Sequence, residues 1–236
     1  GVTILNHPNY RNELTPEDVY PVERLYMFEL FNNLWENRKF KDDDPLHPGE
    51  EVWWDRMLTK GMIMYGVGSD DAHKFKEYTL TESNPGRGWV MVRSSALTPN
   101  AITAAMYNGD FYATSGVYLK EYEFRKNVIS IEVDPAETAK EMTKPIVRQG
   151  KTITEGKEGY KIELIGKEGK ILETVYGTKA NFLINEDSPY FRVKVTYIHR
   201  DKERGLEGYY AWCQPVFTDK RVARNKEYPH LYLEHS

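Results

Sequence analysis

The pattern of hydrophobic and polar residues changes character near residue 121. Before that point, short runs of apolar residues alternate with segments of helical character, and the runs are continuous. Continuous apolar strands separated by helices are typical of parallel strands that are covered on both faces. We therefore predict an α/β arrangement over residues 1–121, in the manner of a β/α barrel or a doubly wound sheet. The predicted strands are GVTILNHP, LYMFELFN, MIMYGVG and GWVMVRS, with DFYATSGV as a short strand or turn.

Helix boundaries in this first part are marked by residues that commonly begin or end helices. Thr15 precedes Pro16 in TPEDVYPVERL, and Thr98 precedes Pro99 in LTPNAITAAMYNG. A threonine cap followed by proline is a typical helix start, because proline at the first helical position loses no hydrogen bond. HPGEEVWWDRMLTKG has helical spacing and ends at Gly61, a residue type that commonly follows a helix.

After residue 121 the apolar residues alternate with polar ones at a period of two. This alternation predicts strands with one buried and one exposed face, and turns rich in glycine and charge separate them. We predict a small antiparallel β-sandwich over residues 122–236. The strands are expected in NVISIEVDP, YKIELIGKEGKIL, ANFLI, YFRVKVTYI and GYYAWCQPVFT.

Composition narrows the class of protein. A chain of 236 residues that is 40% hydrophobic can form two modest globular domains or one large one, and its net charge of −4 argues against nucleic-acid binding. No window has the roughly 18 apolar residues needed to span a membrane. The only cysteine, Cys213, lies in the strand-like YYAWCQPVF, so an internal disulfide is excluded and a buried thiol is expected.

Several side chains with metal-binding chemistry follow predicted strands. His7 follows the first strand, and Asp70, Asp71 and His73 follow the third, in GVGSDDAHKFKEY. In either α/β architecture the active site lies at the carboxyl ends of the strands, so these residues are expected at one edge. Imidazole and carboxylate groups together bind Zn, Mn or Fe. The alternative is a turn, since Asp and Ser are common turn residues, together with histidines that have structural roles.

A longer series of motifs resembles a known family. In order, these are NHPNY, ELFNN, WWDRMLTKG, GVGSDDAH, GRGWVMV, LTPNAITAAMYNGDFYATSGV and AWCQPVF. The series is similar to the PHP (polymerase and histidinol phosphatase) superfamily of metal-dependent hydrolases, in its carbaryl-hydrolase-like branch. The resemblance implies that residues 1–121 are the carboxy-terminal portion of a distorted β/α barrel. It also implies a cluster of up to three divalent metal ions.

The resemblance also implies roles for individual residues. The metal ligands would be His7, Asp71 and His73, with Asp70 as the alternative carboxylate if the register differs by one. If Asp71 is the ligand, Asp70 would be a catalytic acid that relays a proton. Glu29 matches a Glu-x-x-Asn strand of the family and would border the pocket; from the residues alone, it either pairs with a cation, lies at the strand end in water, or binds metal. The substrate-binding set would be Glu29, Arg87, Tyr112 and Ser115.

The sequence departs from the family pattern at its start. Family members begin with a His-x-His strand and a Thr-Asp-His type strand, and this sequence contains neither. The resemblance therefore implies that an amino-terminal barrel segment comes from the same protein or from another chain. We expect weak or no activity from this chain alone, because a cluster of several metals needs more ligands than remain here.

Two functions follow. The first is a metal-dependent hydrolase that acts on a small-molecule phosphoester or related ester. The second is a noncatalytic module in which sandwich aromatics such as Tyr209, Tyr210 and Trp212 bind a partner or a carbohydrate. Tightly held metal that is lost in His7→Ala or His73→Ala would favour the enzyme.

Overall fold

The structure is a computed structural model that describes residues 2–33, 48–146, 150–185 and 187–218. The protein is mostly β, with 39% strand and 18% helix. The strands are β1 Ile4–Leu5, β2 Met27–Asn32, β3 Tyr65–Ser69, β4 Trp89–Val92, β5 Phe111–Thr114, β6 Leu119–Arg125, β7 Val128–Val133, β8 Lys151–Thr152, β9 Gly159–Ile165, β10 Ile171–Tyr176, β11 Lys179–Leu183, β12 Tyr190–Asp201, β13 Gly205–Cys213 and β14 Val216–Phe217. The helices are α1 Pro16–Val19, α2 Glu50–Thr59, α3 Pro99–Tyr107 and α4 Pro135–Met142.

The first sheet contains the three parallel strands of the protein's amino-terminal part. Its order is β1-β2-β3, with Ile4 opposite Met27 and Met27 opposite Tyr65. These are the first three strands predicted from continuous apolar runs, and their parallel pairing agrees with that prediction. Their carboxyl ends therefore lie at a common edge, where His7 and the 70–73 segment follow.

Two antiparallel sheets form the rest of the fold. The larger has the order β10-β9-β12-β13-β5-β4, with β14 paired to β12 and β8 paired to β13, and the smaller has the order β11-β7-β6. The two sheets enclose a common apolar core. Its members include Ile129, Ile131, Phe182, Ile162, Val193, Val195, Ala211 and Cys213. Cys213 is fully buried, as expected, and this burial raises the pKa of its thiol.

The prediction that residues 1–121 form part of a β/α barrel is wrong. The described residues form three sheets, none of them closed, with four helices, which does not resemble a β/α barrel. β4 was expected to continue the parallel series and β5 to be a short strand or turn, but the two pair with each other antiparallel, and β5 pairs antiparallel with β13. The large sheet thus runs across residue 121 and takes strands from both parts of the chain.

The physical reason lies in the burial of β5. Phe111 packs in the cluster around Tyr65, Ala113 packs in the cluster around Trp54, and Tyr112 packs against the sandwich core. Both faces of this antiparallel strand are therefore covered. β4 has the continuous apolar sequence WVMV although it is only half-buried, and it pairs antiparallel with β5, so an apolar run alone does not set the direction of the neighbouring strands.

The helix starts follow the predicted caps. The backbone N–H and the hydroxyl of Thr15 both donate to Asp18 Oδ2 at 2.8 Å, and the Thr98 hydroxyl accepts the N–H of Ala101 at 3.3 Å. α4 was not anticipated from the sequence. It is capped by Asp134, whose carboxylate accepts two backbone N–H groups.

Helix α2 is attached to the large sheet by a buried ion pair. The carboxylate of Asp55 accepts from the Tyr190 hydroxyl at 2.7 Å and from Arg192 Nε and Nη2 at 2.8 and 2.6 Å. The guanidinium of Arg192 also lies 4.9 Å from the ring centroid of Trp54, which is fully buried. This paired geometry is the arrangement that a buried charge requires, because an unpaired charge in the interior is costly.

A second carboxylate of α2 supports the same contact. Glu51 pairs with Lys194 and lies 3.6 Å from Arg192. Burial raises the pKa of the Glu51 carboxyl, but the two cations outweigh it and lower that pKa to about 2. Glu51 is therefore charged at neutral pH, and the helix meets the sheet through two acids and two bases.

Candidate functional site

The carboxyl ends of β1, β2 and β3 bring the candidate residues together from three parts of the chain. His7 lies two residues after β1, Glu29 lies within β2, and Asp71 and His73 follow β3. Because these strands are neighbours in one parallel sheet, residues separated by more than 60 positions in sequence share one edge.

Glu29 is the centre of a hydrogen-bond network at this edge. Its side chain is buried, with 4% of the residue exposed. One oxygen accepts the backbone N–H of His7 at 2.7 Å and Asn32 Nδ2 at 2.9 Å, and the other accepts the Ser69 hydroxyl at 2.5 Å. Asn32 Nδ2 also donates to Asp71 Oδ2 at 3.1 Å. The network therefore joins the ends of all three parallel strands.

Two of the residues in this network have a strained backbone. His7 has φ of +32° and Asp71 has φ of +46°, in the left-handed region that non-glycine residues rarely adopt. Such conformations cost about 1–3 kcal/mol each and persist only where surrounding contacts hold them. Here Glu29 holds the N–H of His7, and Asn32 and the Ser83 hydroxyl hold Asp71.

The ring of His73 is oriented by the residue two positions before it. Its Nδ1 lies 2.6 Å from the Asp71 carbonyl oxygen and 3.6 Å from Asp71 Oδ1. When Nδ1 carries the proton, it donates to that carbonyl and leaves the lone pair on Nε2. The side chain is 63% exposed, so Nε2 can be reached from solvent. A histidine fixed through one ring nitrogen commonly binds a metal through the other.

The donor set fits a divalent metal in its chemistry. Imidazole nitrogen and carboxylate oxygen are ligands of Zn, Mn and Fe, and Asp71 with His73 offers one of each. In the part of the chain that the structure describes, however, no three His, Cys, Asp or Glu residues are grouped closely enough to hold an ion. Glu29 contacts His7 only at the backbone N–H of His7 in this network. The imidazole ring of His7 is exposed, and its centroid lies 5.4 Å from that of the Tyr10 ring.

Asp70, the expected proton relay, lies in a structural environment. Its two carboxylate oxygens accept the backbone N–H groups of Gly86, Arg87 and Gly88 at 2.7, 2.6 and 2.6 Å. A carboxylate that accepts three backbone N–H groups fixes the loop that carries them. We therefore assign Asp70 to holding residues 86–88 against the end of β3, and Asp71 is the acid that faces the candidate ligands.

Arg87 has a comparable structural role. Only 3% of the residue is exposed, and its guanidinium donates to the carbonyl oxygens of Glu82 and Thr79 at 2.7 and 2.5 Å and to Asn84 Oδ1 at 2.9 Å. We assign it to the interior of the 73–84 loop rather than to a contact with an anionic substrate.

Tyr112 lies on β5 of the large sheet, and Ser115 directly follows that strand. The Tyr112 hydroxyl accepts the N–H of Leu119 at 3.1 Å, and burial raises its pKa. Ser115 exchanges two hydrogen bonds with the backbone of Tyr210, at 3.0 and 2.9 Å. Tyr112 lines a cleft of about 570 Å³ whose lining includes none of the predicted metal ligands.

The sandwich aromatics considered for a binding module are buried. Tyr209, Tyr210 and Trp212 are 5%, 8% and 3% exposed, and the rings of Tyr210 and Trp212 stack at 5.0 Å. These three side chains therefore form core rather than an exposed platform for a sugar or a partner.

The sequence reasoning did not assign Asn32, Ser69 or Ser83. Asn32 follows Glu29 by three positions, which places two side chains on opposite faces of a regular strand. The register of β2 against β3 shifts between Glu29 and Phe31, and this irregularity brings both side chains into one network. The ELFNN motif contains both Glu29 and Asn32, but the sequence does not show the strand irregularity that brings their side chains together.

Comparisons with protein-family models, with curated proteins and with solved structures found no match to this chain. The resemblance to the PHP superfamily therefore depends on the sequence motifs alone. Among the described residues, no helix is both long enough and apolar enough to cross a membrane.

Proposed function

We propose that this chain contributes metal ligands and their supporting network to a divalent-metal-dependent hydrolase that acts on phosphoesters or related esters. The observation that carries the proposal is the Glu29 network, which ties the strained residues His7 and Asp71 together at the common edge of three parallel strands. Such backbone conformations occur at functional sites, and this chain also has them at positions outside the site such as Arg24 and Lys126. The support therefore comes from the hydrogen bonds that join His7 and Asp71 through Glu29 and Asn32.

The proposal gives each residue a role. His7, Asp71 and His73 are the proposed ligands, and Zn, Mn or Fe suits their donor atoms. The proposal requires the exposed ring of His7 to turn toward Asp71 and His73, because the described residues do not group three such side chains closely enough to hold an ion. A bound divalent ion would polarise the ester or phosphoryl oxygen and acidify a bound water. Glu29, Asn32 and Ser69 orient the ligands, since the partners of ligating side chains influence metal affinity strongly. Further ligands from a segment of the same protein or from another chain would complete the set.

Metal binding tests this proposal without depending on activity. We expect the purified chain to bind Mn²⁺ or Zn²⁺ in isothermal titration calorimetry. His7→Ala and His73→Ala are each expected to weaken that binding by at least about tenfold, because loss of a residue that merely supports a ligand already costs roughly ten- to hundredfold. His199→Ala is the matched control, because His199 is an exposed histidine on β12.

Equal binding by the wild type and both ligand variants would contradict the proposal, as would the absence of any bound ion. Hydrolysis of bis(4-nitrophenyl) phosphate provides a second readout. Any activity measured with added metal is expected to fall in both ligand variants and to stay unchanged in His199→Ala.

A further inference from the structure

A surface loop begins at the candidate ligand His73 and returns at Ser83, which is hydrogen-bonded to Asp71 and His73. The backbone N–H groups of His73 and Lys74 both donate to the carbonyl oxygen of Ser83 at 3.0 Å, and the Ser83 hydroxyl donates to the carbonyl of Asp71. The nine intervening positions, 74–82, therefore leave from His73 and return to the same place. Compact loops of this length with adjoining ends are frequently functional.

The loop is held from inside by one buried amide. Asn84 is fully buried, and its Nδ2 donates to the carbonyl oxygens of Lys74 and Glu77 at 2.9 and 2.8 Å. Its Oδ1 accepts the N–H of Thr79 at 3.1 Å, and Arg87 bonds the Thr79 carbonyl as described above. The backbone of the loop is therefore fixed by side chains that lie beneath it, and its outer side chains are presented from a preformed support.

The outer side chains combine two aromatic rings with two cations. Phe75 is 64% exposed and Tyr78 is 45% exposed, and Lys74 and Lys76 are also exposed. Glu77 is the one acid within this KFKEY segment, which therefore has a net charge of +1. Exposed aromatic rings stack on flat ligands, and lysine ammonium groups attract phosphate.

We propose that the KFKEY segment, residues 74–78, recognises an organic anion with an aromatic ring, and that the substrate of the adjacent site is an aryl phosphoester. Lys74 and Lys76 attract the phosphate, and Phe75 and Tyr78 pack against the ring. This inference depends on the proposed function for the ligands at His7, Asp71 and His73, because the loop is anchored to them.

The test compares phenyl phosphate with inorganic phosphate as probes, with and without Mn²⁺, by calorimetry on the wild-type chain. We expect phenyl phosphate to bind about three- to tenfold more tightly than phosphate, the ratio that a ring-stacking contact supplies. The double variant Phe75→Ala/Tyr78→Ala is expected to abolish that ratio, and Lys74→Ala/Lys76→Ala to weaken both probes in a salt-dependent manner.

Matched controls are Phe124→Ala, an aromatic residue that is 46% exposed on β6, and Lys157→Ala, an exposed lysine in the loop before β9. Neither should change the ratio or the phosphate affinity. Equal affinity for the two probes, a ratio that survives in Phe75→Ala/Tyr78→Ala, or no binding of either probe would overturn the inference. Failure of the chain to bind Mn²⁺ would instead overturn the proposed function, so the two failures are distinguished.

Discussion

Glu29→Gln is expected to weaken Mn²⁺ or Zn²⁺ binding by roughly ten- to hundredfold while the chain stays folded. The carboxylate accepts three donors through two oxygens, and glutamine keeps only one acceptor oxygen. Its NH2 group would face either the N–H groups of His7 and Asn32, which cannot accept, or the Ser69 hydroxyl, which would have to change from donor to acceptor. We also expect unfolding to require about 1–3 kcal/mol less free energy, as for other buried groups left unpaired. Calorimetry and urea unfolding measure the two effects.

Glu163→Gln is the matched control for this variant. Glu163 is also a buried glutamate, 6% exposed, and it pairs with Lys161 at 2.9 Å in β9 of the large sheet. The control is expected to lose stability and to keep the metal affinity of the wild type. If Glu29→Gln and Glu163→Gln bind metal equally well, Glu29 has no role in positioning the ligands.

Asp55→Ala is expected to lower the free energy of unfolding by about 3–5 kcal/mol. The substitution leaves the guanidinium of Arg192, which is 2% exposed, without its bidentate partner and removes the acceptor of the Tyr190 hydroxyl. Guanidinium chloride unfolding at pH 7 measures the loss. Glu158→Ala is the control, because Glu158 pairs with Arg200 at 2.9 Å with both side chains more than half exposed. That pair should contribute about 0–1 kcal/mol.

A paired replacement keeps this prediction testable if Asp55→Ala does not fold. Asp55→Leu/Arg192→Met removes both charges together, and such replacements of buried ion pairs are often neutral or stabilising. We expect the double variant to be more stable than Asp55→Ala. A single variant with wild-type stability would show that the ion pair does not hold α2 to the sheet.

The sequence predicted the strands better than their pairing. The first three apolar runs form parallel neighbours as expected, and the alternating segments after residue 121 form antiparallel strands. The pairing of β5 with β13 joins residues about 100 positions apart, through Ala211 and Thr114 among others. Local periodicity carries no information on such distant partners, and a strand buried on both faces looks the same in either type of sheet.

The position of the candidate ligands in the fold was predictable from the sequence, and that of the residues around them was less so. His7, Asp71 and His73 lie at one edge because strand ends converge in any parallel sheet. The different environments of Asp70 and Asp71 could not be predicted, because the two residues are identical and adjacent in the sequence. It depends on the left-handed backbone at Asp71 and on three N–H groups from residues 86–88 that face Asp70.

The most direct test of the account is a Zn²⁺ titration of the protein with ¹⁵N-labelled histidine rings, followed by NMR. Signals are assigned with His7→Ala, His73→Ala and His199→Ala. We expect the signals of the His7 and His73 rings to shift together and to saturate with the same ion, with His73 coordinating through Nε2 while Nδ1 keeps its proton. The signals of His199 should not shift. A His7 ring that stays unchanged while His73 shifts, or two rings that both stay unchanged, would contradict a shared metal site.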